Sequence, residues 1–229
     1  MNPPGAWTPG DLAILVPMLG RPHHIAPLLT SIIESTPGAR VVFLATPGDG
    51  EVIAELYRLG KQVEFLIVER QPRGDYGRKV NAGYRHTTEP LLFTGASDLR
   101  FHPGWFEAAC ACLRPGIGVV GTNDLGNPRV LAGEHATHFL VTREYADRWG
   151  TIDGPGRVMA EAYPHEYVDT EMIGTAKARG AYAMCLDSHV EHLHPHWGKA
   201  PTDDIYDGQP ARMMTGRRIY ERRARKWRR

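Results

Sequence analysis

Apolar positions in this chain fall into short dense runs, separated by segments in which they recur at helical spacing. Residues 12–16, Leu-Ala-Ile-Leu-Val, form a first run that Pro17 stops, and they read as a buried strand. Over residues 24–35, Ile25, Leu28, Leu29, Ile32 and Ile33 fall three and four apart, which predicts an amphipathic helix with one stripe toward a core. A second strand over 40–45 passes through the tight loop Thr46-Pro-Gly-Asp-Gly50 into a helix over 51–59, closed by Gly60. Residues 63–68 predict a third strand, a short helix runs up to Tyr84, and Leu91, Leu92 and Phe93 mark a fourth strand. A helix over 105–113 and a strand at Val119-Val120 follow.

Beyond residue 120 the pattern loosens. Residues 123–135 are rich in Gly, Asn and Pro and read as a substrate-facing loop. A strand over 137–141, a helix over 143–149 and a long loop over 150–164 come next. The helix over 168–180 opens with an acidic turn, and a last strand covers 181–186. Directly after it stand His189, His192, His194 and His196. Nearly all-apolar strands alternating with helices predict an α/β fold, a Rossmann-like mostly parallel sheet with helices on both faces.

Hydrophobic residues make up 42% of the 229, enough for one proper core, and no run approaches a membrane span. The N-terminus lacks the basic-then-apolar order of a signal peptide. Three cysteines, Cys110, Cys112 and Cys185, make no disulfide framework, and a reducing, cytoplasmic setting is expected. Charge is unevenly spread. Residues 217–229 hold eight basic side chains against Glu221, so this segment carries +7 and, with +1 overall, the rest stands at −6. A division follows into a catalytic domain over 1–205 and a basic C-terminal extension over 206–229, helical and with a tail. Solvation of a docked helix would account for its charge, as would recruitment of a polyanion such as DNA or a charged glycan, with Trp227 suited to stacking.

Candidate chemistry begins at Asp98, on a turn of small residues just past the fourth strand. Ligands of open α/β sheets bind beyond the strands' carboxyl ends, and an acid there suits a divalent cation gripping a phosphate. The same residue would also serve as a simple helix-capping turn. Arg73, Arg78 and Lys79, in a glycine-containing segment, favour phosphate or form a solvated basic turn. A G-x-G-x-x-G string at Gly116, Gly118 and Gly121 runs into strand residues, so it is not a dinucleotide motif.

Taken in order, these pieces resemble the family 2 glycosyltransferases and their relatives with the A-type glycosyltransferase fold. Ile14-Leu-Val-Pro-Met-Leu-Gly-Arg-Pro22 resembles the family's first strand and nucleotide-contacting turn, implying substrate contacts at Pro17, Leu19 and Arg21. Gly77-Arg78-Lys79-x-Asn81-x-Gly83 is similar to its Arg-x-x-Asn-x-Gly segment, which implicates Arg78, Lys79 and Asn81. Phe93-Thr-Gly-Ala-Ser-Asp-Leu with Pro103-Gly-Trp105 resembles its metal strand and following helix start, adding Ser97 and Trp105 to the substrate residues. Asp169-Thr-Glu-Met resembles the segment that carries the catalytic base, with Asp169 first and Glu171 second. Val190-Glu-His-Leu-His194 resembles the terminal histidine motif, so the metal set becomes Asp98, His192 and His194 for Mn2+ or Mg2+. Three departures stand out: Gly95-Ala96-Ser97-Asp98 lacks two of the family's three acids, Val168 replaces a Glu, and Asp49 is the one acid left to hold the nucleoside.

The resemblance implies transfer of a sugar from a nucleoside-diphosphate sugar to an acceptor hydroxyl, with inversion. A degenerate nucleic-acid-binding module on the same fold, or a sugar nucleotidyltransferase, are the alternatives. The second usually needs a glycine-rich loop with a lysine after the first strand, where this chain has Gly20-Arg21.

Overall fold

The computed structural model describes residues 7–71 and 74–228, and Arg73 lies outside the described residues. In chain order the elements are β1 (Leu12–Pro17), α1 (Ile25–Ser35), β2 (Arg40–Ala45), α2 (Gly50–Leu59), β3 (Glu64–Ile67), α3 (Asp75–His86), β4 (Leu91–Thr94), β5 (Leu99–Phe101) and α4 (Trp105–Ala111). They continue with β6 (Val119–Asn123), α5 (Pro128–Leu131), β7 (Phe139–Thr142), α6 (Arg143–Arg148), α7 (Val168–Ala178), β8 (Tyr182–His192), α8 (Asp204–Asp207) and α9 (Gln209–Ala224).

The strands form one sheet in the order β3-β2-β1-β4-β7-β6-β8-β5. Its first half is parallel, as nearly all-apolar strands require. In β1, Leu12, Ile14 and Val16 face a core shared with α1, α2 and α4. Ala13 and Leu15 face a second core shared with α3 and α7. The sheet thus separates two hydrophobic layers. Gly83 lets α3 sit close on β1, since a Cβ there would stand 2.8 Å from Leu15 Cδ2.

The second half is mixed. β7 runs antiparallel to both β4 and β6, because the chain leaving β6 folds back beside it through residues 124–138, which hold only the one-turn α5. β8 returns parallel to β6 after α7. It also runs on to His192, six residues past the end the apolar pattern predicts. The short strand β5, which the pattern does not reveal, pairs antiparallel with that extension: Leu99 with His192, Arg100 with Glu191, Phe101 with Val190. His189 and His192 therefore lie within a strand, not after one.

The C-terminal helix α9 docks on α7. Ile219 and Ala224 are buried, and Trp227 packs over Gly174, whose added Cβ would meet its Nε1 at 3.2 Å. That contact removes Trp227 from the stacking role its sequence position suggests. No described helix is long and apolar enough to cross a membrane.

Candidate functional site

Sheet register builds the first part of the site. Asp98 immediately precedes β5, and the Leu99–His192 pairing sets its carboxylate beside the imidazole, with Oδ1 3.5 Å from His192 Nε2. The other oxygen, Oδ2, accepts from Arg21 Nη1 at 3.1 Å and from the Tyr206 hydroxyl. Burial alone would raise the Asp98 carboxyl, but His192, Tyr206 and Arg21 hold it well below the usual carboxylate value.

Arg21 sits in a left-handed backbone conformation, φ 57°, just after Gly20 at φ 59°. This turn brings its guanidinium across Asp98 and into a forked pair with Asp203, Nε–Oδ2 2.6 Å and Nη2–Oδ1 2.8 Å. The Tyr206 ring lies 4.2 Å from the guanidinium carbon. Asp203 and Tyr206, which no sequence pattern singles out, thus cover the Asp98 carboxylate from the segment before α9.

A groove of about 500 Å³ opens beside this cluster, at the carboxyl ends of β1, β2 and β3. Leu19, Gly20, Thr46, Asp49, Arg70 and Ile205 are among its lining residues. Asp49 accepts from the Gly20 N–H, tying the β1 turn to the β2 loop, and caps α2 through Val52 N at 3.5 Å. The Thr46 hydroxyl is buried without a partner among the described residues.

Asp169 forms the second part, in the first turn of α7. Tyr167, at φ 73°, is the residue at the helix cap, so Asp169 is not itself the cap. Its Oδ2 lies 3.0 Å from His135 Nε2 and its Oδ1 accepts from Thr170 N at 2.7 Å. Burial would raise this carboxyl, yet the hydrogen bond and charge of His135 hold it below its ordinary value. Tyr76 and His138 lie near both acids. Burial first, then the charges of Asp169 and Asp98, push the Tyr76 phenol up, and its hydroxyl donates to Gly95 O at 3.1 Å. Burial, and then His192, push His138 down to about 4.

Several residues implicated by resemblance do other work. Trp105 is wholly buried, donates from Nε1 to Thr36 Oγ1 at 2.6 Å and packs edge-on against Phe93 and Phe101, so it is core and not substrate contact. Asn81 is also fully buried and ties down the loop before α7. Its amide donates to Met159 O and accepts from Val158 N and Met159 N at 2.9–3.0 Å. Lys79 is buried, with Nζ 2.6 Å from Met18 O and 2.9 Å from Asp75 Oδ2, so it braces the β1 turn from behind. Arg78 pairs with Glu161 at 3.1 Å.

Glu171 is corrected as well. It is 2% exposed, accepts from Tyr163 OH at 2.6 Å and is gripped by Arg223 through Nε at 2.6 Å and Nη2 at 2.8 Å. Its carboxylate anchors α9. Two residues, just over half a helical turn, separate the two acids of α7 into different jobs. Ser97 is buried next to Asp98, and Pro17 is half-buried at the end of β1.

His194 is held apart from Asp98. Its Nδ1 accepts from His196 N at 3.0 Å and its ring packs on Tyr206 at 4.5 Å. Among the described residues, no three His, Cys, Asp or Glu side chains converge as a ready metal cage. The missing acids of the metal turn have a local cause at one position. Gly95 donates to Leu15 O at 2.8 Å, and a Cβ there would stand 2.9 Å from that oxygen, so no carboxylate side chain fits.

The fold matches solved structures across most of the chain. A mannosyltransferase from Pyrobaculum calidifontis, in complex with GDP-Man and Mn2+, superposes with a TM-score of 0.60 at 17% identity, over 83% of this chain and 59% of that one. Glucosyl-3-phosphoglycerate synthase from Mycobacterium tuberculosis, in complex with Mn2+, UDP and phosphoglyceric acid, gives a TM-score of 0.59 at 13% identity, over 97% of this chain and 84% of that one. The chain has the A-type glycosyltransferase fold. It spans less than two thirds of the mannosyltransferase's length. No protein-family model matches the sequence, nor does any curated protein.

Proposed function

We propose that this chain is a nucleotide-sugar-dependent glycosyltransferase that moves a sugar onto an acceptor hydroxyl with inversion. The observation that carries this reading is two buried carboxylates held ionised, Asp98 just past β4 and Asp169 in the first turn of α7, with an open groove beside the Arg21 turn that contacts Asp98. The groove takes the nucleoside of the donor against Leu19 and Asp49, and Arg21 turns toward its phosphates.

A divalent ion fits the Asp98 side in part. An ionised carboxylate facing an imidazole offers hard oxygen and borderline nitrogen, the donors Mn2+ accepts, and Mg2+ would take the oxygen. Asp98 and His192 would hold it, with its remaining positions left to phosphate and water, and it would supply positive charge to the leaving diphosphate. His194 joins only if Tyr206 releases its ring.

Asp169 is the general base. An inverting displacement needs a carboxylate that removes the acceptor proton as the oxygen attacks, help worth about 10²–10⁴-fold. His135 donates to Asp169 Oδ2 and orients it, leaving the carboxylate ionised at neutral pH.

The acceptor is a polyanion, docked on α9. Arg218, Arg222 and Arg225 recur at helical spacing on its exposed side with Lys226 adjacent, and they make no ion pair among the described residues. The same surface also suits a non-catalytic polyanion-binding module. One screen separates the readings: hydrolysis of UDP- and GDP-sugars with Mn2+, with Mg2+ and with chelator, for the unaltered protein and Asp98→Asn. Turnover that needs metal and is lost in the variant supports the transferase. Full activity in excess chelator sinks the metal assignment, and no turnover with any donor favours the binding module.

A further inference from the structure

His138 immediately precedes β7 and lies near both carboxylates, Asp98 and Asp169. Its Nδ1 lies 3.0 Å from the Thr94 carbonyl oxygen. A carbonyl only accepts, so Nδ1 carries the proton and Nε2 presents a bare lone pair. That Nε2 is buried and has no partner among the described residues, on a side chain belonging to a residue 5% exposed. A buried acceptor without a donor is uncommon and costly.

The ring is held in place. The His138 carbonyl accepts from Thr122 N at 3.2 Å and from Thr122 Oγ1 at 3.0 Å, and the Nδ1 bond fixes the imidazole from the side of β4. Its neighbours supply no donor to Nε2. The His192 ring lies edge-on at 5.2 Å with its own Nε2 turned to Asp98, and Phe93 lies at 6.5 Å. The lone pair therefore has no donor among the described residues.

We propose that His138 Nε2 accepts a hydrogen bond from one hydroxyl of the transferred sugar and so selects the donor. The proposal rests on the transferase reading, which puts the leaving diphosphate at Asp98 and the attacking oxygen at Asp169. The sugar then lies between them, near His138. A hydroxyl fits because it brings a single proton to a fixed acceptor. An ether oxygen or a deoxy carbon in that place would leave Nε2 bare, and sites of this kind discriminate strongly for that reason.

Calorimetric binding of UDP-Glc and GDP-Man in the presence of Mn2+ opens the test, followed by the deoxy analogues of the donor bound, one hydroxyl at a time. In the unaltered protein one position is expected to lose about tenfold in affinity or more when its hydroxyl is removed. His138→Asn keeps a side-chain N–H for the Thr94 carbonyl but places nothing at Nε2. It should weaken the parent donor by about tenfold while that one analogue ceases to stand out. His138→Gln, whose amide oxygen reaches toward the Nε2 position, should recover part of the difference, and it carries the comparison should the asparagine variant not fold. An analogue profile unchanged in the variants overturns the role of His138 and leaves the transferase reading intact. No binding of either nucleotide sugar overturns both.

Discussion

The Arg21 guanidinium joins Asp98 to Asp203, with Nη1 3.1 Å from Asp98 Oδ2 and Nε 2.6 Å from Asp203 Oδ2. Together with the Tyr206 hydroxyl it holds Asp98 Oδ2, while Oδ1 faces His192. A cation that draws on both oxygens must therefore compete with two protein donors before any donor sugar arrives. Tyr206→Phe removes one competitor, and should tighten Mn2+ binding to the sugar-free protein several-fold, read by calorimetry or paramagnetic titration. An unchanged affinity would show that the Tyr206 contact does not oppose the ion.

Asp169→Asn should lower kcat by about 10²-fold or more with little change in donor KM, because a base acts in the transition state and not in donor binding. An effect confined to KM would make Asp169 a binding residue instead.

The pH dependence of kcat follows from His135. The Asp169 carboxyl is held below its ordinary value of 3.8, so it stays ionised throughout the neutral range, and any stability it lends is present above that value and lost as pH falls through the folded one. Burial alone pushes the other way. His135→Leu should release that push, raising the Asp169 pKa and moving the acid limb of the kcat profile upward. An acid limb in the same place for both proteins would remove His135 from this role.

Glu171→Gln tests the division of labour on α7. The change removes the buried carboxylate that Arg223 grips in a fork while Asp153 still pairs that guanidinium, and should cost about 1–3 kcal/mol of stability. Activity per folded molecule should be preserved. A large kcat loss at unchanged melting temperature would return Glu171 to the chemistry.

Replacing Arg218, Arg222 and Arg225 by Gln should weaken binding to a DNA or sulfated-glycan acceptor and flatten its salt dependence by roughly 2–3 units of slope, if each side chain neutralises one anionic group. Hydrolysis of the donor should persist. Unchanged acceptor affinity at low and high salt would mark the helix face as merely solvated.

The α/β layering was legible along the chain because its cause is local. Strands buried on both faces must be apolar throughout, as in residues 12–16 and 40–45, and helices packed on one side must carry a stripe, as Ile25, Leu28 and Ile32 do. The motif order drew out Asp98, Asp169 and His192 for the same reason, since each follows or continues an element the pattern marks. What tertiary structure decided was which side chains meet. β5 holds three residues and has no apolar signature of its own, so only its pairing with β8 shows that Asp98 faces His192. Glu171 and Asp169 lie two residues apart, yet helical geometry turns one to Arg223 and the other to His135. Asp203 reaches Arg21 across 182 residues and Tyr206 reaches Asp98 across 108, and His138 gains its meaning from the Thr94 carbonyl that sets its tautomer. Contacts between residues distant in sequence leave no periodicity behind, so packing alone reveals them.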